Sequence, residues 1–388
     1  MQFSKRMDSF GPGIFSVLAD KKQARLAAGG RVIDLSVGTP NIPPAPHIMQ
    51  ALCEAAAKPE NYVYAIQDTQ ELLEAVTQWY HRRYQVELET DQVVSLLGSQ
   101  DGLAHIALSI VDPGDTVLVP DPGYPVFSDG PLLAGANLYR MPQKAENDGI
   151  IDLDAIPDEV ADRAKLMIVS YPNNPVTSVA PAAFYEKLVE FGRRHDVIIL
   201  HDNAYSELSY DGLRCGSFLA YPGAMEVGVE FNSLSKTYGL AGARIGFALG
   251  NREVISKLRT LKSNMDYGMF LPVQKAAIAA ITGPQECVET TRLAYQRRRD
   301  VLVEGLCSIG WQMEKPKATM FVWAPLPAGY TDSTQFVLDL LDRTGVLVTP
   351  GSAFGPEGEG HVRMALVQDE EDMRYAIASI KESGILQG

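Results

Sequence analysis

Short apolar and β-branched runs alternate with stretches of helical periodicity through the first three quarters of the chain. Val93–Leu97 precedes a helical stretch over Ser99–Val111. Thr116–Val119 ends in Pro120-Asp121-Pro122-Gly123, and Leu166–Ser170 in Tyr171-Pro172-Asn173-Asn174-Pro175. Val197–Leu200 ends in His201-Asp202, Val227–Phe231 runs into Asn232-Ser233, and Ala243–Leu249 stops at Gly250. These runs lack in/out alternation, so the sheet they build has both faces covered, with the intervening helices as cover. The pattern predicts an α/β fold around a mostly parallel sheet. Its polar and glycine-rich segments follow the strands, where open sheets of this kind carry their ligand crevice.

Beyond about residue 285 the texture changes. A long charged helical stretch (Gln285–Ile309) leads to Met320–Ala324, a helical Ser333–Arg343, Val346–Val348 and a strand around His361–Leu366. This predicts a smaller α+β domain over residues 286–388, after a large domain over 46–285. Residues 1–45 have no sheet of their own and pack with the small domain.

Composition narrows the function. The 388 residues are 46% hydrophobic and 21% charged, as in a globular chain. Lys+Arg 34 against Asp+Glu 48 leaves a net charge of −14, which repels a phosphate backbone and argues against nucleic acid. The run Arg297-Arg298-Arg299 reads as a solvated helix face. Cys53, Cys215, Cys287 and Cys307 form no C-x-x-C pair and read as reduced thiols of a cytoplasmic protein. The N-terminus lacks a signal-peptide core, and no stretch reaches the ~20 apolar residues of a membrane span.

The densest chemistry lies in Asn232–Phe247, where Lys236 stands between hydroxyl residues at a strand end before a glycine-rich turn. A lysine desolvated there becomes a usable amine nucleophile. Arg244, with the Ser233 and Ser235 hydroxyls, suits a phosphate dianion. Taken alone, a Ser/Gly-rich loop with an incidental lysine explains the segment equally well. Other strand ends shift the balance. Gly98-Ser99-Gln100 opens a helix, with free backbone N–H groups for an anion or with Ser99 as a simple N-cap. Asp202 follows an apolar strand, where a carboxylate needs a cationic partner or caps the next helix. A protonated pyridine nitrogen is one such partner.

These residues resemble the pyridoxal-phosphate-dependent aminotransferases of fold type I, class I/II, over nearly the whole chain. The resemblance implies a seven-stranded large domain, pyridoxal 5'-phosphate as cofactor, and ping-pong transfer of an amino group from an L-amino acid to a 2-oxo acid. Ser233–Gly246 resembles the family's S-x-S-K…R-x-G segment, which makes Lys236 the cofactor-bonding lysine and Ser233, Ser235 and Arg244 phosphate ligands. Asp202-Asn-Ala-Tyr205 resembles its D-x-A-Y segment, giving Asp202 to the ring nitrogen and Tyr205 to the ring oxygen. Asn174 fits the ring-oxygen asparagine, Tyr124 the stacking aromatic, and Ser99 and Gln100 the helix start beneath the phosphate. Arg363, in His361-Val-Arg363-Met-Ala-Leu, resembles the arginine that grips the substrate carboxylate, and Gly38 the backbone beside it. Asn61-Tyr62-Val-Tyr64 resembles the segment that reaches a neighbouring subunit's phosphate, implying a homodimer with Tyr64 serving the other chain.

The chain departs from the family at Asn174-Pro175-Val176-Thr177, where N-P-T-G is usual, at Thr69 in place of Gly, and at Ala243 in place of a common Trp. None of these removes a catalytic group. Lys262–Gln274 and Thr319–Ala324 resemble the LL-diaminopimelate, alanine and aspartate aminotransferase subgroups. 2-Oxoglutarate or pyruvate is the expected acceptor. A β-lyase or decarboxylase would use the same Lys236, Asp202 and Arg244. A cofactor-binding transcription regulator needs a DNA-binding domain for which the N-terminus leaves no room. No G-x-S-x-G elbow, dinucleotide fingerprint or paired-histidine metal spacing is present.

Overall fold

The computed structural model describes residues 2–10 and 14–387; the parts of the predicted terminal segments at residue 1, residues 11–13 and residue 388 lie outside them. Near the N-terminus, β1 (Ile33–Asp34) leads to the strands of a seven-stranded sheet. These are β2 (Val93–Leu96), β3 (Thr116–Asp121), β4 (Asn137–Pro142), β5 (Ala164–Ser170), β6 (Ile198–Asp202), β7 (Gly228–Ser233) and β8 (Gly246–Gly250). Their order is β2-β8-β7-β6-β5-β3-β4. β8 runs antiparallel to both neighbours, and the remaining pairs are parallel.

Alternate residues of each strand feed two cores, one on each face. On β3, Val117 and Val119 join one cluster and Leu118 the other; on β5, Leu166 and Ile168 oppose Met167 and Val169. All are fully buried, each worth about 1.5–3 kcal/mol against exposure. This double burial is why the sequence shows continuous apolar runs.

The C-terminal part adds β9 (Phe321–Pro325), β10 (Val346–Leu347), β11 (Thr349–Pro350) and β12 (His361–Ala365). β11, β12 and β9 form an antiparallel sheet. Helices Glu286–Ser308, Ser333–Thr344 and Glu370–Ser383 contribute buried residues to the third core, beside this sheet. That core also takes Leu18, Ile33 and Leu35 from the N-terminal segment and Tyr205, Leu208 and Tyr210 from the stretch after β6.

Several expectations need correction. The N-terminal segment does enter a sheet, because β1 pairs in parallel with β10. The strand expected from Ala243 starts at Gly246, since Arg244 adopts a left-handed φ of 56° and turns off the strand line. The arginine run is a solvated face only in part: Arg297 is exposed and Arg298 half-buried, but Arg299 turns inward. Arg299 is fully buried, donates to Asp211 at 2.7 Å and to the Pro316 carbonyl at 3.0 Å, and lies over the Tyr210 ring. Ser99 is the first helical residue rather than the cap, a position that Gly98 takes.

Candidate active site

Strand direction gathers the polar residues at one edge of the large sheet. β3, β5, β6 and β7 are mutually parallel, so Tyr124, Asn174, Asp202 and Lys236, on or just after their ends, lie at the same edge. Asp202 sits opposite Ser170 of β5 and Phe231 of β7. Because β8 is reversed, its beginning lies at that edge too, and Arg244 precedes it by two residues.

The result is a pocket of about 1090 Å³ lined by Gly38, Ser99, Gln100, Tyr124, Asn174, Asp202, Tyr205, Ser233, Ser235, Lys236, Arg244 and Arg363. Every predicted site residue is there except Tyr64, which is 83% exposed and packs edge-on against Tyr267.

Lys236 Nζ donates to the Gly38 carbonyl at 2.8 Å. Burial, with the charges of Arg363 and Arg244, pushes its amine down to about 8. Asp202 is buried, and its Oδ1 has no hydrogen-bond partner. Burial pushes its carboxyl up to about 7, against the pull of His201. Arg363 is buried; its Nη1 donates to Asn174 Oδ1 at 2.8 Å and its Nη2 to the Ser36 carbonyl at 2.9 Å, while Nε has no partner. Burial also holds the Tyr205 phenol well above its ordinary range.

On the other wall, Tyr124 donates to Gln100 Oε1 at 3.1 Å, and Arg244 Nη1 donates to the Ala241 carbonyl at 2.9 Å. Gly98 has φ +79°, and a Cβ there would collide with the Arg244 guanidinium. Glycine is therefore what lets that side chain fold back over the helix start.

Behind the pocket lies a buried network that the motifs did not reveal. His201 Nε2 donates to the Tyr171 carbonyl at 2.9 Å, and its Nδ1 meets Glu230 Oε2 at 2.9 Å. Glu230 also accepts from Tyr80, the Asn203 amide and the Phe218 N–H at 2.8–3.1 Å. These bonds tie together β7, the end of β6 and the turn after β5, from which Asp202 and Asn174 project. The available sequence signal was a carboxylate inside the apolar strand Val227–Phe231.

The pocket's donor set suits a flat cationic heterocycle bearing a phosphate: a lone buried carboxylate oxygen, an arginine among hydroxyls, and a desolvated amine. The family model for aminotransferase class I and II matches residues 30–380. The chain belongs to this family.

The aminotransferase is 48% identical over 383 residues to the LL-diaminopimelate aminotransferase of Moorella thermoacetica, with 98% of each chain covered. It is 44% identical over 388 residues to LL-diaminopimelate aminotransferase 2 of Trichormus variabilis, with 99% of each covered. Among solved structures it is similar to substrate-bound BacF from Bacillus subtilis, with a TM-score of 0.95, 36% identity and 98% of each chain covered. The enzyme is a transaminase of fold type I, and its cofactor is pyridoxal 5'-phosphate. The unpartnered Asp202 oxygen and the Gly98–Arg244 fit accord with that group. No described helix is long and apolar enough to cross a membrane.

Proposed function

We propose that this aminotransferase moves the α-amino group of LL-diaminopimelate, the substrate in its relatives' names, to 2-oxoglutarate or pyruvate. The observation that carries the reading is one pocket holding a desolvated lysine, an unpartnered buried carboxylate oxygen and two arginines. Arg244, Ser233, Ser235, Ser99 and Gln100 hold the cofactor phosphate, because a planar guanidinium and neutral donors match a dianion. Asp202 keeps a proton on the ring nitrogen. With that group bound, Tyr205 and the Asn174 amide would donate to the ring oxygen, Tyr124 would cover the ring face, and Lys236 would be the amine that takes the aldehyde carbon with release of water.

When bound, the cofactor supplies an electron sink for the pair left at the substrate Cα. Arg363 takes the α-carboxylate, with the Gly38 backbone alongside. Once the substrate amine has taken its place, the freed Lys236 Nζ would accept the Cα proton and later return one, a task suited to an amine lowered to about 8. Donor and acceptor use the site in turn, so the kinetics are ping-pong.

Tyr64 belongs to an exposed apolar surface with Tyr62, Ile66, Tyr267 and Phe270, the kind of patch that association covers. We assign it to a homodimer in which each Tyr64 serves the other chain's phosphate. We divide the chain into residues 1–45, a cofactor-binding domain over 46–285 and a small domain over 286–388. Four free thiols suit a cytoplasmic setting.

The test is a panel of amino donors against both 2-oxo acids with purified, cofactor-loaded protein. LL-diaminopimelate should turn over fastest, and continuously only when a 2-oxo acid is present. Release of ammonia or CO₂ without one would assign a lyase or decarboxylase instead.

A further inference from the structure

Five charged side chains line the pocket: Asp129, Asp202, Lys236, Arg244 and Arg363. The proposed function uses four of them. Asp129 is the fifth. It stands on helix Val126–Ala134, whose Val126, Asp129, Gly130 and Leu133 face the pocket at the i, i+3, i+4, i+7 spacing of one helix side. It is near enough to Tyr124 for its charge to bear on that phenol. Gly130 fixes the helix position, because a Cβ there would strike the Leu103 carbonyl of the neighbouring helix.

The carboxylate has little company. Met7, Phe10, Leu103 and Leu133 give this part of the pocket an apolar lining. Burial alone raises the carboxyl above its usual range, with no cation or donor among the described residues to offset it. A half-buried carboxylate on an apolar wall is costly until a cation meets it.

The remaining charges give this anion a sign-specific meaning. Once Lys236, Arg244 and Arg363 are engaged, the described pocket residues offer no further cation to a substrate side chain. A side chain ending in a carboxylate meets repulsion at Asp129, an aliphatic one meets nothing, and one bearing an ammonium meets a partner. We propose that Asp129 is the specificity-determining residue that reads a second ammonium group on the far part of the amino donor. The site thereby selects diamino acids. This rests on the LL-diaminopimelate reading above. In LL-diaminopimelate the distal ammonium, rather than the distal carboxylate, carries recognition by this wall.

The test compares Asp129→Asn and Asp129→Glu with wild type in the donor half-reaction, followed by the absorbance change of the bound cofactor. The donors are LL-diaminopimelate, L-2-aminoheptanedioate (the same chain without the second amine) and L-glutamate. Wild type should prefer LL-diaminopimelate over L-2-aminoheptanedioate by about 10- to 100-fold, the worth of a charged hydrogen bond. Asp129→Asn should lose most of that preference, chiefly through KM. Its reaction with L-glutamate should become about 2- to 5-fold faster as repulsion is removed. Asp129→Glu should retain part of the preference. A wild type without the preference, or an Asp129→Asn enzyme that keeps it while still reacting with L-glutamate, overturns the proposal alone. A wild type that reacts with none of the three overturns the LL-diaminopimelate reading and this one together.

Discussion

Replacing Arg363 by Met separates binding from stability. The guanidinium is 4% exposed and lies 4.2 Å from the Phe321 ring centre and 4.6 Å from that of Phe354. No carboxylate among the described residues bridges to it. Burial lowers it from the ordinary arginine range to about 10, which corresponds to ~3 kcal/mol against the charged form. Because the folded value is the lower one, this cost is present in full below pH 10 and disappears only as pH rises into the ordinary arginine range. Met removes that cost and fills similar space, but leaves Asn174 Oδ1 without its donor, while the Ser36 carbonyl keeps the hydrogen bond from Thr349 Oγ1. That loss runs at about 1–3 kcal/mol, so the effects largely cancel. The thermal midpoint of the cofactor-free protein should move by no more than a few degrees. Substrate binding has no such cancellation. A buried arginine–carboxylate pair is worth about 2–5 kcal/mol, or roughly 30- to 4,000-fold in kcat/KM. The assay is the donor half-reaction over a range of amino acid concentrations, with the loss falling mainly on half-saturation. An unchanged half-saturation concentration would remove Arg363 from the carboxylate role.

Two further outcomes follow from pH. In cofactor-free protein only neutral Lys236 can capture an aldehyde, so the rate of pyridoxal phosphate uptake should rise with a midpoint near pH 8; a midpoint at the ordinary 10.5 would contradict the desolvated amine. Asp202 is the opposite case: its folded value of about 7 exceeds the usual 3.8, so the folded state holds this proton more tightly and stability falls as pH rises between them. Asp202→Asn should abolish that part of the fall in a thermal series on cofactor-free protein, while the loaded variant loses nearly all turnover. Parallel stability curves for the two proteins would refute the assignment.

The large sheet was legible because burial on both faces writes strands as uninterrupted apolar runs, as at Leu166–Ser170. β4 was not, since Asn137–Pro142 is an edge strand with mostly exposed or half-buried positions, and its pattern resembles a loop. The start of β8 was misjudged because Arg244 belongs to an apolar-looking segment but takes a left-handed turn, a backbone choice the pocket requires rather than one local propensity announces. Arg299 misled for a related reason: three consecutive arginines read as surface, and it is the pairing with Asp211 and Asp300, with the Pro316 carbonyl, that makes burial tolerable. In the site, the residues carrying charge or sharp turns were visible at strand ends. Glu230 and His201 were hidden because their bonds join different strands, and Asp129 because a single carboxylate on a helix has no local mark of facing a pocket.

The bond proposed between Lys236 and the cofactor is tested most directly by borohydride reduction of the loaded protein followed by peptide mapping. The account predicts a phosphopyridoxyl group on the peptide containing Lys236 and on no other lysine. A label on a different lysine, or none in folded and cofactor-saturated protein, would contradict it.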